Sequence, residues 1–242
     1  MTAAKRLPFG FMVLAAITAV VLSATLFWAF MRAPTELRMG FVQKIFYFHV
    51  PIASAMYIGG TATCVGSVGY LLTGRKFWDA LAGAGAQLAV LFGVLTLSTG
   101  MLWGSKAWGH AWTWDPRLTT ALLSTMIYVA YVTLRAFAGG GDAEAKFAAA
   151  LGIFGFGNLP IIHYSVQKWA GQHPTVLTQK GGGLGHPAMY TALSLGFATF
   201  VALSALLLWY STSLELTARR VAELEEDALD LGFDDMNESH AP

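Results

Sequence analysis

The chain is expected to be an all-α integral membrane protein: six transmembrane helices, with a Trp-rich external loop or short helix between the third and fourth. Three observations predict this. Hydrophobic residues make up 55% of the 242 residues and charged residues only 12%, about half the usual charged share. Mean hydropathy is +0.54, so polar groups are too few to cover the apolar surface and lipid must cover it instead. Six nearly uncharged stretches of spanning length follow one another along the chain. They lack the alternation of barrel strands, and only helices or closed barrels satisfy their backbone in lipid, so helices are expected.

The first span, about 9–31, follows Lys5 and Arg6. A basic start before an apolar run suggests a signal peptide, but Leu7–Met31 exceeds a signal core and reads as a span. The second, about 50–73, emerges from the aromatic stretch Ile45–Pro51. The third covers about 80–102. The fourth, about 117–138, opens on Asp115-Pro116, a preferred N-cap followed by a preferred first helical residue. Arg135 lies near enough to its far end to snorkel. The fifth, about 147–168, carries Asn158, Pro160 and His163, and the sixth covers about 187–210. Residues 211–242 read as an acidic cytoplasmic C-terminal tail, since nine of the 14 acidic residues fall there. A helix is expected to continue through Glu226 before a solvated end.

Span parity places connections one, three and five on one side of the membrane. The pairs Lys5-Arg6, Arg75-Lys76 and Arg219-Arg220 favour an inner N-terminus, which makes that side external. There Arg32, Arg38, Lys44, Lys106, Arg117, Lys168 and Lys180 are opposed only by Glu36 and Asp115. Such a surplus attracts anions.

The third connection, residues 103–116, holds Trp103, Trp108, Trp112 and Trp114, half of the chain's eight tryptophans. An interfacial aromatic belt is one reading, but a belt needs one or two rings per helix end. Gly104 and Gly109 permit close backbone approach, and indoles offer broad apolar faces. A large flat ligand fits them. Asp115 is readable as a helix cap, as a ligand contact, or as both. His49 and His173 share this external face, as do His110 and His186, whereas His163 lies within span five. Asn158 and His163 are also readable as partners for backbone freed by Pro160. Two neutral imidazoles can ligate haem iron, the indoles suit its macrocycle, and the cations suit its propionates. Quinones would account for the aromatics alone. The single cysteine, Cys64, excludes an internal disulfide and multi-cysteine metal sites, and no C-x-x-C-H is present, so haem would be held non-covalently.

Trp108-Gly-x-x-Trp112-x-Trp114-Asp115 resembles the WWD motif of the cytochrome c assembly family of haem-handling membrane proteins. Tyr47-Phe48-His49-Val50-Pro51 and Asn158-Leu-Pro-Ile-Ile-His163-Tyr-Ser-Val166 are similar to segments of its CcmC-like haem exporters. The resemblance spans about residues 40–190. It implies a six-span haem-handling domain over residues 1–210, in the bacterial inner membrane, with haem b on the periplasmic side. By position, His49 and His173 would be the axial ligands, with His186 the rival for the second place and His163 a motif residue. Trp103, Trp108, Gly109, Trp112, Trp114 and Asp115 would form the platform, with Lys106 and Arg117 nearby. The implied partners are the haem chaperone CcmE, the ATP-binding cassette subunits CcmA and CcmB, and the small subunit CcmD, with no nucleic acid. No Walker-type glycine loop is present, so a haem-transfer component is expected rather than an enzyme. The alternatives are a bis-His membrane electron-transfer cytochrome, whose ligands would sit deep in facing helices, and a cytochrome c synthetase.

Overall fold

The structure, a computed structural model, describes residues 7–138, 141–169, 171, 173 and 183–230. The chain is a membrane protein and the described residues are all-α, with six helices among them long and apolar enough to cross a bilayer. Helix α1 (Phe9–Phe27) runs into a π-helical turn (Trp28–Arg32), and a 3-10 turn (Phe41–Ile45) leads into α2 (Phe46–Thr73). Then follow α3 (Lys76–Ala107), α4 (Pro116–Phe137), α5 (Asp142–Trp169) and α6 (Pro187–Asp230).

All six expected spans coincide with helices, and the main differences lie at their ends. Helix α3 continues to Ala107, so Trp103 and Lys106 of the segment 103–116 are helical. It stops at Gly109, whose φ of 78° supplies the left-handed turn after the last helical residues. Helix α6 runs on through residues 211–230, well into the acidic region. Hydropathy marks where the apolar run ends, whereas a helix persists for as long as its residues tolerate it. The remainder of that region, 231–242, and Lys180 lie outside the described residues.

Helices α2 and α3 form a tight antiparallel pair, joined through Gly74 with φ 64°. Their seam is built from small residues. A Cβ on Gly59 would stand 2.5 Å from the Ala89 nitrogen, and one on Gly66 would stand 2.5 Å from the Ala82 nitrogen. Without a hydrophobic drive between helices in lipid, such close backbone approach is a main source of association. Helix α5 packs across α2 and α4. Asn158 Nδ2 donates to the Thr120 carbonyl at 2.9 Å and to Ser124 Oγ at 2.7 Å. Its amide therefore ties α5 to α4 rather than serving backbone freed by Pro160 in its own helix. Ile52, Met56, Leu88, Phe92, Ala121, Leu159 and Ile162 form the core between α2, α3, α4 and α5.

Helix α1 lies mostly against α6, where the buried Thr25 and Thr199 hydroxyls meet at 2.7 Å. Lys44 is also buried, and its Nζ donates to the Ala29 and Ala33 carbonyls at 2.6 and 2.9 Å. This cation therefore caps the end of the first span, complementing its terminal carbonyls. It does not contribute a free charge to the outer surface.

Candidate functional site

A cavity of about 1150 Å³ opens at the end of the bundle where α2, α4 and α6 begin and α3 ends. Segments from all three odd-numbered connections reach it: Pro34–Leu37 and Met39 from the first, Trp108 and Trp112 from the third, His173 and Gly183–His186 from the fifth. Of the residues grouped by parity, His49, Trp103, Trp108, Trp112, Arg117, His173 and His186 thus converge in space.

His49 sits in the first turn of α2, where Pro51 lacks an N–H and leaves the Tyr47 carbonyl without its helical donor. Gly196 of α6 fills that place, since a Cβ there would lie 2.4 Å from the Tyr47 oxygen. Its Cα–H can make a weak contact to the carbonyl, and the turn bearing His49 is braced from behind. On its other side, His49 Nδ1 is 2.8 Å from Thr99 Oγ1. The Thr99 hydroxyl donates its one hydrogen to the Leu95 carbonyl at 2.7 Å. It must then accept from Nδ1–H, which fixes the neutral tautomer with the lone pair on Nε2. Gly100 leaves space for the ring, because a Cβ there would come within 3.2 Å of His49 Cε1.

His173 stands beside it, with ring centroids 6.5 Å apart and planes at 29°. Its Nδ1 is 3.2 Å from Arg117 Nη1. Arg117 also donates through Nη2 to the His163 carbonyl at 3.1 Å, and its backbone N–H donates to Asp115 Oδ1 at 2.8 Å. One arginine therefore links the start of α4, the last turns of α5 and the connection carrying His173. Arg117 was readable in sequence only as one cation among several. The structure makes it the hub.

His163 and His186 also line the cavity. His186 Nδ1 accepts the Ala188 N–H at 3.1 Å, serving the start of α6. His173, rather than His186, is the imidazole beside His49.

The tryptophans divide. Trp103, Trp108 and Trp112 line the cavity, and Trp103 and Trp108 meet edge to face at 4.9 Å and 86°. Trp112 meets Trp114 in the same manner at 5.5 Å and 89°, but Trp114 is 76% exposed and does not line the cavity. Edge-to-face pairing holds each ring by its partner's quadrupole. Gly109 and Lys106 are exposed outside the lining. Asp115 is buried and caps α4 through the bond to the Arg117 N–H. Gly171 lies against its carboxylate, where a Cβ would be 2.5 Å from Oδ2.

Two features of the site had no local signal in the sequence. Thr99 lies 50 residues from the imidazole that it orients. Four methionines, Met39, Met56, Met101 and Met189, line the cavity from four separate segments. Their flexible, polarisable chains suit a wall that must adapt to an irregular apolar shape.

A model of the family described as "CcmC: Heme exporter protein C" matches residues 3–227. Among similar proteins, "Heme exporter protein C" of Escherichia coli (strain K12) is 34% identical over 197 residues, covering 80% of this chain and 78% of that protein. The protein of the same name in Bradyrhizobium diazoefficiens is 32% identical over 214 residues, covering 88% and 81%. In Rhodobacter capsulatus the corresponding figures are 28% over 228 residues, with 93% and 92% covered.

Proposed function

The chain belongs to the haem exporter protein C (CcmC) family, and from that premise we propose that it binds haem b non-covalently in this cavity and delivers it to the haem chaperone CcmE. The carrying observation is the pair of imidazoles 6.5 Å apart at a cavity walled by three tryptophans. The two rings are close enough to serve one iron once His173 turns from Arg117. Two axial nitrogens suffice for an iron whose other four positions a macrocycle fills.

In this reading haem is cargo, and the protein supplies holding groups of graded strength. His49 is preset by Thr99, with its Nε2 lone pair available to iron. Arg117 supplies a cation for a propionate. Trp103, Trp108 and Trp112 cover the macrocycle faces, and the methionines adapt to its edges. The cavity opens at the bundle end, so part of the ring stays accessible to a receiving protein. Trp114, exposed and paired with Trp112, is placed to meet that protein. The bundle end carrying the cavity faces the periplasm of a bacterial inner membrane, and CcmA, CcmB and CcmD complete the assembly and its ATP-driven step.

An electron-transfer cytochrome is the weaker reading. Its ligands would be enclosed between facing helices, whereas His49 is at a helix start and His173 is on a connection. The test is to purify the chain from haem-replete membranes and record the haem spectrum of His49→Ala and His173→Ala. Loss of bound haem in either variant supports the proposal, and unchanged content in both overturns it.

A further inference from the structure

Helix α6 is longer than any membrane requires. Its 44 residues extend about 66 Å at 1.5 Å per residue, against a hydrocarbon core of about 30 Å. The surplus lies at the end opposite the cavity, and it is amphipathic in an unusual sense. Arg219 and Glu223 are turned toward its own bundle, while Arg220, Glu225, Glu226 and Asp227 are exposed. Arg219 Nη2 meets the buried Asp79 carboxylate of α3 at 2.6 Å, and Glu223 pairs with Lys76 at the start of α3. Asp79 also takes Arg135 at 2.8 Å, and Arg135 meets Glu144 at 3.3 Å. This network sets the rotation of the helix about its axis.

With that rotation, the apolar stripe faces outward. Leu214, Val221 and Ala228 recur every seven residues, and Leu224 falls between them, the spacing of a helix seam that seeks a partner. Leu214, Val221 and Leu224 are 55%, 48% and 56% exposed. An apolar stripe held away from its own core by ion pairs is a costly arrangement in water unless something covers it.

We propose that Leu214, Val221 and Leu224 form the docking stripe for a protein partner whose own surface is apolar and rimmed with lysine and arginine. The charge around the stripe selects this occupant. Residues 211–230 carry six acidic side chains against two basic ones; Arg219 is engaged with Asp79, and beside the stripe Glu225 and Asp227 outnumber Arg220. Helices that lie on a membrane surface carry Lys and Arg on their polar faces, which anionic headgroups attract. This acidic helix would be repelled from such a surface. A second copy would set two acidic helices side by side, whereas a basic rim complements the stripe and steers its approach. The proposal stands independently of the haem reading, because the stripe and the cavity lie at opposite ends of the bundle.

The test places the photo-crosslinking residue benzoylphenylalanine at Val221 or Leu224 of the full chain in its native membranes. Both positions are exposed, so the fold tolerates the change. The expected result is an adduct with one other protein, attached through a peptide in which Lys or Arg flanks apolar residues. Its yield should fall about tenfold when Glu225→Lys and Asp227→Lys are combined. Labelling of lipid alone, an adduct with a second copy, no adduct from either position, or a yield indifferent to the charge reversal would each overturn it.

Discussion

Arg117 Nη1 stands 3.2 Å from His173 Nδ1, and because a guanidinium only donates, His173 must accept through that nitrogen. A neutral ring that accepts at Nδ1 carries its proton on Nε2, and neither nitrogen then offers iron an uncommitted lone pair. His173 therefore differs from His49, whose Nδ1–H donates to Thr99. Holding a ligand requires Arg117 to release His173, and a propionate offers Arg117 a stronger, charged acceptor. In the cargo-free protein, nitrogen NMR of labelled histidine, assigned with His173→Gln, should show His173 in the Nε2–H form. Haem loading should remove that form, and Arg117→Ala should abolish the preference before loading. A His173 that is already Nδ1–H without cargo would contradict this account.

Thr99 orients His49 from across the α2–α3 interface. Partners that fix the tautomer of a metal-binding histidine are worth about 10–100-fold in affinity. Thr99→Val should lower haem retention within that range, while Thr99→Ser, which keeps the hydroxyl, should retain it. Haem content per chain after detergent washing is the measurement.

The split among the tryptophans separates holding from handing over. Trp108→Ala removes cavity wall and should reduce retained haem. Trp114→Ala touches no cavity wall and should leave retention near normal while slowing loading of the purified chaperone. Equal loss of retention in both variants would argue against this division.

The α2–α3 seam leaves no room for a methyl group at Gly59. Gly59→Ala must push two backbones apart, and overpacking of this kind costs about 1–3 kcal/mol. At Gly83 of α3 a Cβ would meet nothing within 4 Å, so Gly83→Ala should be neutral or slightly stabilising through helix propensity. Thermal unfolding in detergent compares the two variants directly.

Asp79 accepts from both Arg135 and Arg219 while its own side chain is 4% exposed. Asp79→Asn would leave two arginines facing each other across a neutral amide. Breaking a buried pair costs about 3–5 kcal/mol, and the partial exposure of the arginines puts this case near the lower end. A lowered unfolding temperature is expected, together with loss of protection of residues 215–223 in hydrogen exchange.

Hydropathy alone specifies six spans, because burial in lipid adds up locally, residue by residue along a run. Parity then groups His49, the tryptophan segment and His173 at one end without any knowledge of packing, since each span reverses the direction of the chain. What the bundle adds is rotation and depth. Whether Trp112 or Trp114 faces the cavity depends on how the chain leaves Gly109 and enters at Asp115. Lys44 changes from an outward cation to a buried cap because the first span happens to end beside it. The link from Thr99 to His49 joins residues 50 positions apart, and it arises only after glycines at the α2–α3 seam have brought the two backbones together. Arg117 becomes a hub for the same reason: beyond its local cap at Asp115, its contacts to His163 and His173 come from segments that meet it only when the helices pack.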